Sequence, residues 1–354
     1  MLPWLALLAF YADPLLIDTH NDVTSFTVDG YDIGSTGSNK HTDIARLKQG
    51  KVGAVFFAVY VSAGTVKEKR AAHRTLQMID TVRRDIVERH PNDFALATTA
   101  DGILAARKNG RIAALMGIEG GHAIEDDLRL LGTYYDLGIR YMTLTHSNNN
   151  SWADSSGAAP EHNGLTAFGR QVVREMNRLG MMVDISHVSD KTFRDVLETS
   201  RAPVFASHSS CRAISKIPRN MTDEMIRGLA KKGGTIQINF GCEFLSQKSA
   251  DSSPFGNPEV KKRNPKAKPV PAELSDIVAH IDHAVKVAGI DHVGIGSDFD
   301  GVGCLPRGME DVSKFPALTA ALTAKGYTAE MIAKIYGGNL LRVMREVERQ
   351  RAGR

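Results

Sequence analysis

Apolar residues recur along this chain in short runs separated by stretches with helical spacing. The runs are "LLIDTH" from Leu15, "VGAVFFAVY" from Val52, "IAALMGIEG" from Ile112, "IRYMTLTH" from Ile139, "MMVDISH" from Met181, "PVFASH" from Pro203, "GTIQINF" from Gly234 and "HVGIGSDF" from His292. Each has the length of a strand and is apolar enough to be buried on both faces of a sheet. Helical spacing appears between them in "EKRAAHRTLQMIDTVRRDIVERH", "LTAFGRQVVREMNRLG", "KTFRDVLETS" and "MTDEMIRGLAKKG". Strands that alternate with helices predict a parallel sheet with crossover connections, and eight of them predict closure into a (β/α)8 TIM barrel. With no internal repeat or low-complexity tract, residues 1–354 read as one barrel domain.

Two polar inserts interrupt the alternation, Asn148 to Asn163 and Cys242 to Ala272. Both follow predicted strands, so both are expected over the mouth of the barrel, where functional loops collect. The opening "MLPWLALLAFYADP" has no basic residue ahead of its apolar core and no small-residue cleavage signal, and reads as an amphipathic first helix. No run reaches the roughly 18 apolar residues of a membrane span, and the charged end "REVERQRAGR" is unlike a lipid-anchor signal. A soluble chain is expected, in the cytoplasm or the periplasm, without a membrane anchor.

Composition narrows the partners. Charged residues make up 24% of the chain and the net charge is only +4, with Lys and Arg scattered along it, so nucleic acid is not an expected partner. The basic cluster "KKRNPKAK" at Lys261 to Lys268 has no interleaved aromatics and reads as a solvated loop. Cys211, Cys242 and Cys304 are far apart without paired spacing, which predicts three free thiols rather than a disulfide or a thiolate metal site.

The chemistry gathers at strand ends. His20 and Asp22 follow the first run, Glu119 ends the third, and His146, His187, His208 and Asp298 follow the fourth, fifth, sixth and eighth. In a barrel the C-terminal ends of all strands meet on one face, so these residues can address a single centre. Imidazoles and carboxylates without thiolates suit Zn2+, with Co2+ or Mn2+ as substitutes. Glu119 can offer one oxygen to each of two ions, and two ions sharing a water can hold it as hydroxide against a carbonyl, a hydrolase design. Asp18, two residues deeper in the first run, reads as a supporting carboxylate rather than a ligand.

The same motifs have plainer readings. "SDFDG" at Asp298 resembles the start of a calcium loop, but Val302 and Met309 occupy positions where that loop needs oxygen ligands. "SHSS" at Ser207 to Ser210 lacks the Gly-x-Ser-x-Gly elbow of a nucleophilic serine. Glu119 could cap a helix and His146 could merely close a strand. His73, His90, His280 and His283 lie in helical patterns and read as surface or packing residues.

Together the segments "LIDTHND", "GAVFFAVY", "MGIEGGHAI", "YMTLTHSNNN", "GMMVDISHVSD", "ASHSSCRAISKIPRN" and "HVGIGSDFDG" resemble the membrane (renal-type) dipeptidase family, peptidase family M19 of the amidohydrolase superfamily. They run in family order across nearly the whole chain. The resemblance implies a binuclear zinc site in which His20 and Asp22 hold one ion, His187 and His208 hold the other, and Glu119 bridges them. It also implies that His146 contacts the substrate and polarises its carbonyl, that Arg219 in "IPRN" binds the substrate's terminal carboxylate, and that Asp298 handles protons. The implied activity is hydrolysis of L-Xaa-L-Xaa and L-Xaa-D-Xaa dipeptides by a metal-bridging hydroxide. A metal-dependent amidase or deacylase acting on N-acyl amino acids or lactones is the alternative, since Arg219 suits both. The chain departs from animal members in lacking a hydrophobic anchor signal and a cysteine pattern for disulfides, which favours a soluble, bacterial-type enzyme; the resemblance is compatible with a homodimer.

Overall fold

The computed structural model describes residues 14–352, so the first helix expected at the N-terminus lies outside the described residues. Nine strands form one parallel sheet: β1 (Leu16–Asn21), β2 (Val52–Tyr60), β3 (Phe94–Leu96), β4 (Ile112–Glu119), β5 (Ile139–Thr143), β6 (Met182–Asp184), β7 (Phe205–Ser209), β8 (Thr235–Ile238) and β9 (Val293–Ile295). Eight run in the order β1-β2-β4-β5-β6-β7-β8-β9, and the short β3 pairs with β4 off this path. All eight predicted runs are strands. The additional β3, "FAL", is too short to carry a periodic signal.

The sheet curls until its last strand reaches its first. Beyond β9, Phe299 bridges Asn21, the Asp22 amide donates to the Phe299 carbonyl at 2.9 Å, and the Asp298 amide donates to the His20 carbonyl at 3.1 Å. Inside the barrel, Ile17, Phe56, Leu115, Tyr141 and Phe205 are buried in one cluster with the C-terminal helix Asn339–Arg349, through its Leu340, Val343, Met344 and Val347. Apolar side chains thus fill the N-terminal half of the barrel, leaving its C-terminal end for polar chemistry.

The crossover helices start where a hydroxyl or carboxylate can cap them. Thr166, Ser189 and Thr222 accept from the amides of Gly169, Thr192 and Met225, and open the helices Ala167–Leu179, Asp190–Thr199 and Asp223–Lys231. The helix expected from Glu68 to His90 is Ala71–Thr81 with a wider-wound extension Val82–Glu88. Part of the predicted basic loop is the short helix Pro258–Arg263, and its basic residues are exposed as expected. Among the described residues no helix is long and apolar enough to cross a membrane.

One expectation fails. Cys242 and Cys304 form a disulfide across a sequence separation of 62, and only Cys211 is free and buried. Cys242 begins the insert after β8 and Cys304 lies in the loop after β9, so the neighbouring strands bring together two cysteines that spacing alone kept apart. Closing a loop of this length restricts the unfolded chain and typically stabilises by about 2 to 4 kcal/mol. Cys304→Ala should therefore lose stability on that scale in urea unfolding monitored by circular dichroism, and wild type in excess reductant should match it.

Candidate active site

Glu119, the last residue of β4, is 4% exposed and lies among four imidazoles. Its Oε1 is 3.0 Å from His187 Nε2, 3.2 Å from His208 Nε2 and 3.9 Å from His146 Nε2, while Oε2 is 3.7 Å from His20 Nε2. His20 Nε2 also lies 3.2 Å from Asp22 Oδ2. Burial alone would raise the pKa of Glu119, but His20, His146 and His187 hold it well below the usual carboxylate value. Burial lowers His187 and His208, and the nearby Arg219 adds to the effect in both, so both imidazoles are neutral. Burial opposes charge on His20, yet Tyr141, Asp22 and Glu119 carry its pKa well above the usual imidazole value. The surroundings of His20 Nε2 therefore call for positive charge there.

Two hydrogen-bond relays orient these rings. The Tyr141 hydroxyl donates to the Thr19 carbonyl at 3.1 Å and so accepts from His20 Nδ1 at 2.8 Å. Ser207 Oγ donates to Asp184 Oδ2 at 2.5 Å and so accepts from His208 Nδ1 at 2.7 Å. With Nδ1 bonded in this way in each ring, Nε2 is the atom turned toward Glu119. Asp184 is held in turn by Thr143 Oγ1 and by the amides of Ser186 and Ser207. Tyr141 has room because Gly117 faces it, where a Cβ would come within 2.0 Å of the ring. Sequence reasoning passed over Tyr141, Asp184 and Ser207, although all three lie in motifs already singled out and the first two interrupt apolar strands with a polar group.

Asp18 turns away from this cluster. The register of β1 shifts after Asp18, and its carboxylate accepts from the Ser297 amide at 2.8 Å and the Ser297 hydroxyl at 2.5 Å. Burial pushes its pKa up to about 6, against the lowering effect of those hydrogen bonds.

Asp22, Tyr60, Glu119, His146, His187 and Asp298 line a cavity of about 420 Å3, whereas Arg219 lies beside it and not in its lining. Asp298 Oδ2 accepts from Asn239 Nδ2 at 2.7 Å, and burial with the charges of Asp22 and Glu119 raises the Asp298 carboxyl well above its usual pKa. His146 packs edge-on against Tyr60, with ring centroids 5.0 Å apart. Gly301 leaves space for two carboxylates, since a Cβ there would lie 2.3 Å from both Asp22 Oδ2 and Asp298 Oδ1. His187 and Asp298 adopt φ of 68° and 62°, a left-handed conformation that costs a non-glycine residue on the order of 1 kcal/mol and is tolerated where function fixes the backbone.

Arg219 is 7% exposed. Its Nη2 donates to the His208 carbonyl at 2.9 Å, whereas Nε and Nη1 have no hydrogen-bond partner. Burial lowers its pKa to about 10, which still leaves it charged at neutral pH.

The two inserts divide their work. Residues of the second, Glu243, Phe244 and Phe255, line the cavity. The first braces the loops that carry His146 and His187: Ser155 Oγ donates to the His146 carbonyl and the Ser156 amide to the His187 carbonyl, at 2.5 and 2.7 Å.

The donor set suits metal ions. Three groups, His20–Glu119–His208, Glu119–His146–His187 and His20–Asp22–Asp298, each place donor atoms within 4.8 Å of one another. His20 Nε2 is buried without a hydrogen-bond partner, and the Nε2 atoms of neutral His187 and His208 are 3.1 Å apart with Glu119 Oε1 beside both. Lone pairs converging in this way, with carboxylates around them, are satisfied by divalent cations.

Comparison with known proteins gives the family and fold to which this chain is similar. The sequence model of the membrane dipeptidase family, peptidase family M19, matches residues 8–353. An uncharacterised dipeptidase of Schizosaccharomyces pombe is 36% identical over 356 residues, covering 94% of this chain and 80% of the relative. The crystal structure of the probable dipeptidase PvdM from Pseudomonas aeruginosa superposes with a TM-score of 0.86 at 27% identity, covering 98% of both chains. A metallopeptidase from Rhodobacter sphaeroides, liganded with a phosphinate mimic of the dipeptide L-Ala-D-Ala, superposes at 0.83 with 27% identity, covering 95% of this chain and all of that one.

A pH test follows from Asp18. Its folded pKa lies above the unfolded value, so between about pH 4 and 6 the native state binds a proton that the unfolded chain has released, and stability falls as pH rises. In urea titrations the stability difference between wild type and Asp18→Asn should shift across this interval by about 2 kcal/mol, against wild type at the higher pH. A pH-independent difference would contradict the assignment.

Proposed function

Because this chain belongs to the membrane dipeptidase family, peptidase family M19, we propose that it hydrolyses the peptide bond of dipeptides in the cavity at the C-terminal end of its barrel. The observation that carries this reading is the pairing of a hydrolytic centre with Arg219, a buried guanidinium with two unpartnered nitrogens close enough to feel Glu119 and Asp298. A cation left with spare donors at an active site is an anchor for an anionic group, and its planar donor array suits a carboxylate. A free carboxylate placed beside the reacting bond limits the substrate to a short peptide end.

In this reading His20, Asp22, Glu119, His187 and His208 hold two Zn2+ ions, with Co2+ or Mn2+ as functional substitutes. Such ions, when bound, lower the pKa of water and polarise a carbonyl. The chain's own residues do the rest. Glu119 spans both ligand groups through its two oxygens. His146 Nε2 faces the cavity and donates to the carbonyl oxygen as negative charge develops there. Asp298 has Oδ2 tied to Asn239, so Oδ1 takes the proton of the attacking water and returns it to the leaving amine. Burial and the charges of Asp22 and Glu119 raise its pKa above the usual carboxylate value, which favours its taking up that proton. Arg219 fixes the C-terminal carboxylate and thereby the register of the scissile bond.

Metal-loaded protein should release amino acids from a panel of L,L and L,D dipeptides, the latter included because the Rhodobacter sphaeroides relative holds an L-Ala-D-Ala mimic. An inert panel beside active N-acyl amino acids would transfer the assignment to an amidase. Asp298→Asn should lower kcat by about 100-fold or more while mass spectrometry still counts two metals; full activity would remove the proton-transfer role. Wild type should prefer a dipeptide over its C-terminal amide, and Arg219→Ala should reduce that preference by roughly 10- to 100-fold.

A further inference from the structure

Phe255 is the largest exposed apolar side chain among the described residues, at 55%, and it lines the cavity rather than an outer surface. Its ring stacks on Phe244 with centroids 5.5 Å apart and planes 27° apart. Phe244 is buried with Ile217 and Ala250 in a small cluster separate from the barrel core, and Val302 packs against it. Phe244 and Phe255 come from the insert after β8, Val302 from the loop after β9. The Cys242–Cys304 disulfide joins these segments two residues before Phe244 and two after Val302, so the wall is covalently braced on both sides.

The wall stands beside the carboxylate anchor, with the Arg219 guanidinium carbon 5.4 Å from the Phe244 ring centre. Resting on the dipeptidase reading, we propose that Phe244, Phe255 and Val302 form the subsite for the side chain of the substrate's C-terminal residue and select large apolar side chains there. In a dipeptide one α-carbon carries the free carboxylate. Once that carboxylate meets Arg219, the side chain on the same carbon must leave next to Phe244, whereas the N-terminal side chain lies beyond the scissile bond. An aromatic stack with one face open gains by covering that face with apolar surface. Glu243 adds a second criterion. Its carboxylate lines the same cavity, held by Ser253 Oγ at 2.8 Å, and repels an acidic side chain in this position.

Steady-state kinetics on the metal-loaded enzyme test this with Ala-Gly, Ala-Leu, Ala-Phe and Ala-Asp, and a second series of Leu-Gly and Phe-Gly. Ala-Leu and Ala-Phe should exceed Ala-Gly in kcat/KM by about tenfold, with Ala-Asp below Ala-Gly. Phe255→Ala, at an exposed position, should cut the Ala-Phe to Ala-Gly ratio about fivefold while leaving the Phe-Gly to Ala-Gly ratio in place. Val302→Ala should move the first ratio in the same direction. A flat C-terminal series in wild type, ratios unmoved by both variants, or an effect confined to the N-terminal series overturns the subsite and leaves the dipeptidase reading standing. Absence of turnover on every dipeptide overturns both.

Discussion

Glu119 is a carboxylate that burial should neutralise, kept ionised by the rings of His20, His146, His187 and His208 around it. Much of the surrounding architecture serves that contact. Each ring must arrive from a different strand with Nε2 aimed inward, which requires a closed barrel, a defined ring orientation and a backbone that does not drift. The closure supplies the first. Tyr141 and the Ser207–Asp184 pair supply the second for His20 and His208. The left-handed turn at His187 and the carbonyl contacts from Ser155 and Ser156 supply the third.

The polar layer is therefore more than its proposed ligands. Asp184 receives four hydrogen bonds from three residues after β5, β6 and β7 or within them, and Asp18 receives its main contacts from Ser297 beside β9. Both carboxylates sit one level below the imidazoles, and both tie one strand to a neighbour. Rigid support of this kind turns a set of donors into a site whose geometry is ready before substrate arrives.

What could be read in advance was whatever a strand writes locally. Eight apolar runs marked eight strands, and the histidines and carboxylates at their ends marked the centre, because a parallel barrel converts strand-end position into proximity. What stayed hidden depends on partners distant in sequence. Tyr141 reveals its role only beside His20, 121 residues away, and Asp184 only beside Ser207. Cys242 and Cys304 look unrelated until β8 and β9 lie side by side, and their bond reverses the expectation of free thiols. Phe255 in a polar insert gave no periodic signal at all. The resemblance of the motifs to a known family extended the reading to Arg219, whose proposed anchoring role no local pattern marks.

The seam of the barrel has a bearing on time as well as on shape. The hydrogen bonds that join the last strand's end to the first are made by His20, Asp22, Asp298 and Phe299, residues of the site or next to it. A chain leaving the ribosome exposes His20 and Asp22 some 275 residues before their seam partners, as the separations of Ser297 from His20 and of Thr19 from Ile295 require. Contacts so far apart in sequence form late and pay a large loop-closure entropy. The site end of β1 must therefore wait for those seam partners, and no shorter length of nascent chain can assemble the full constellation.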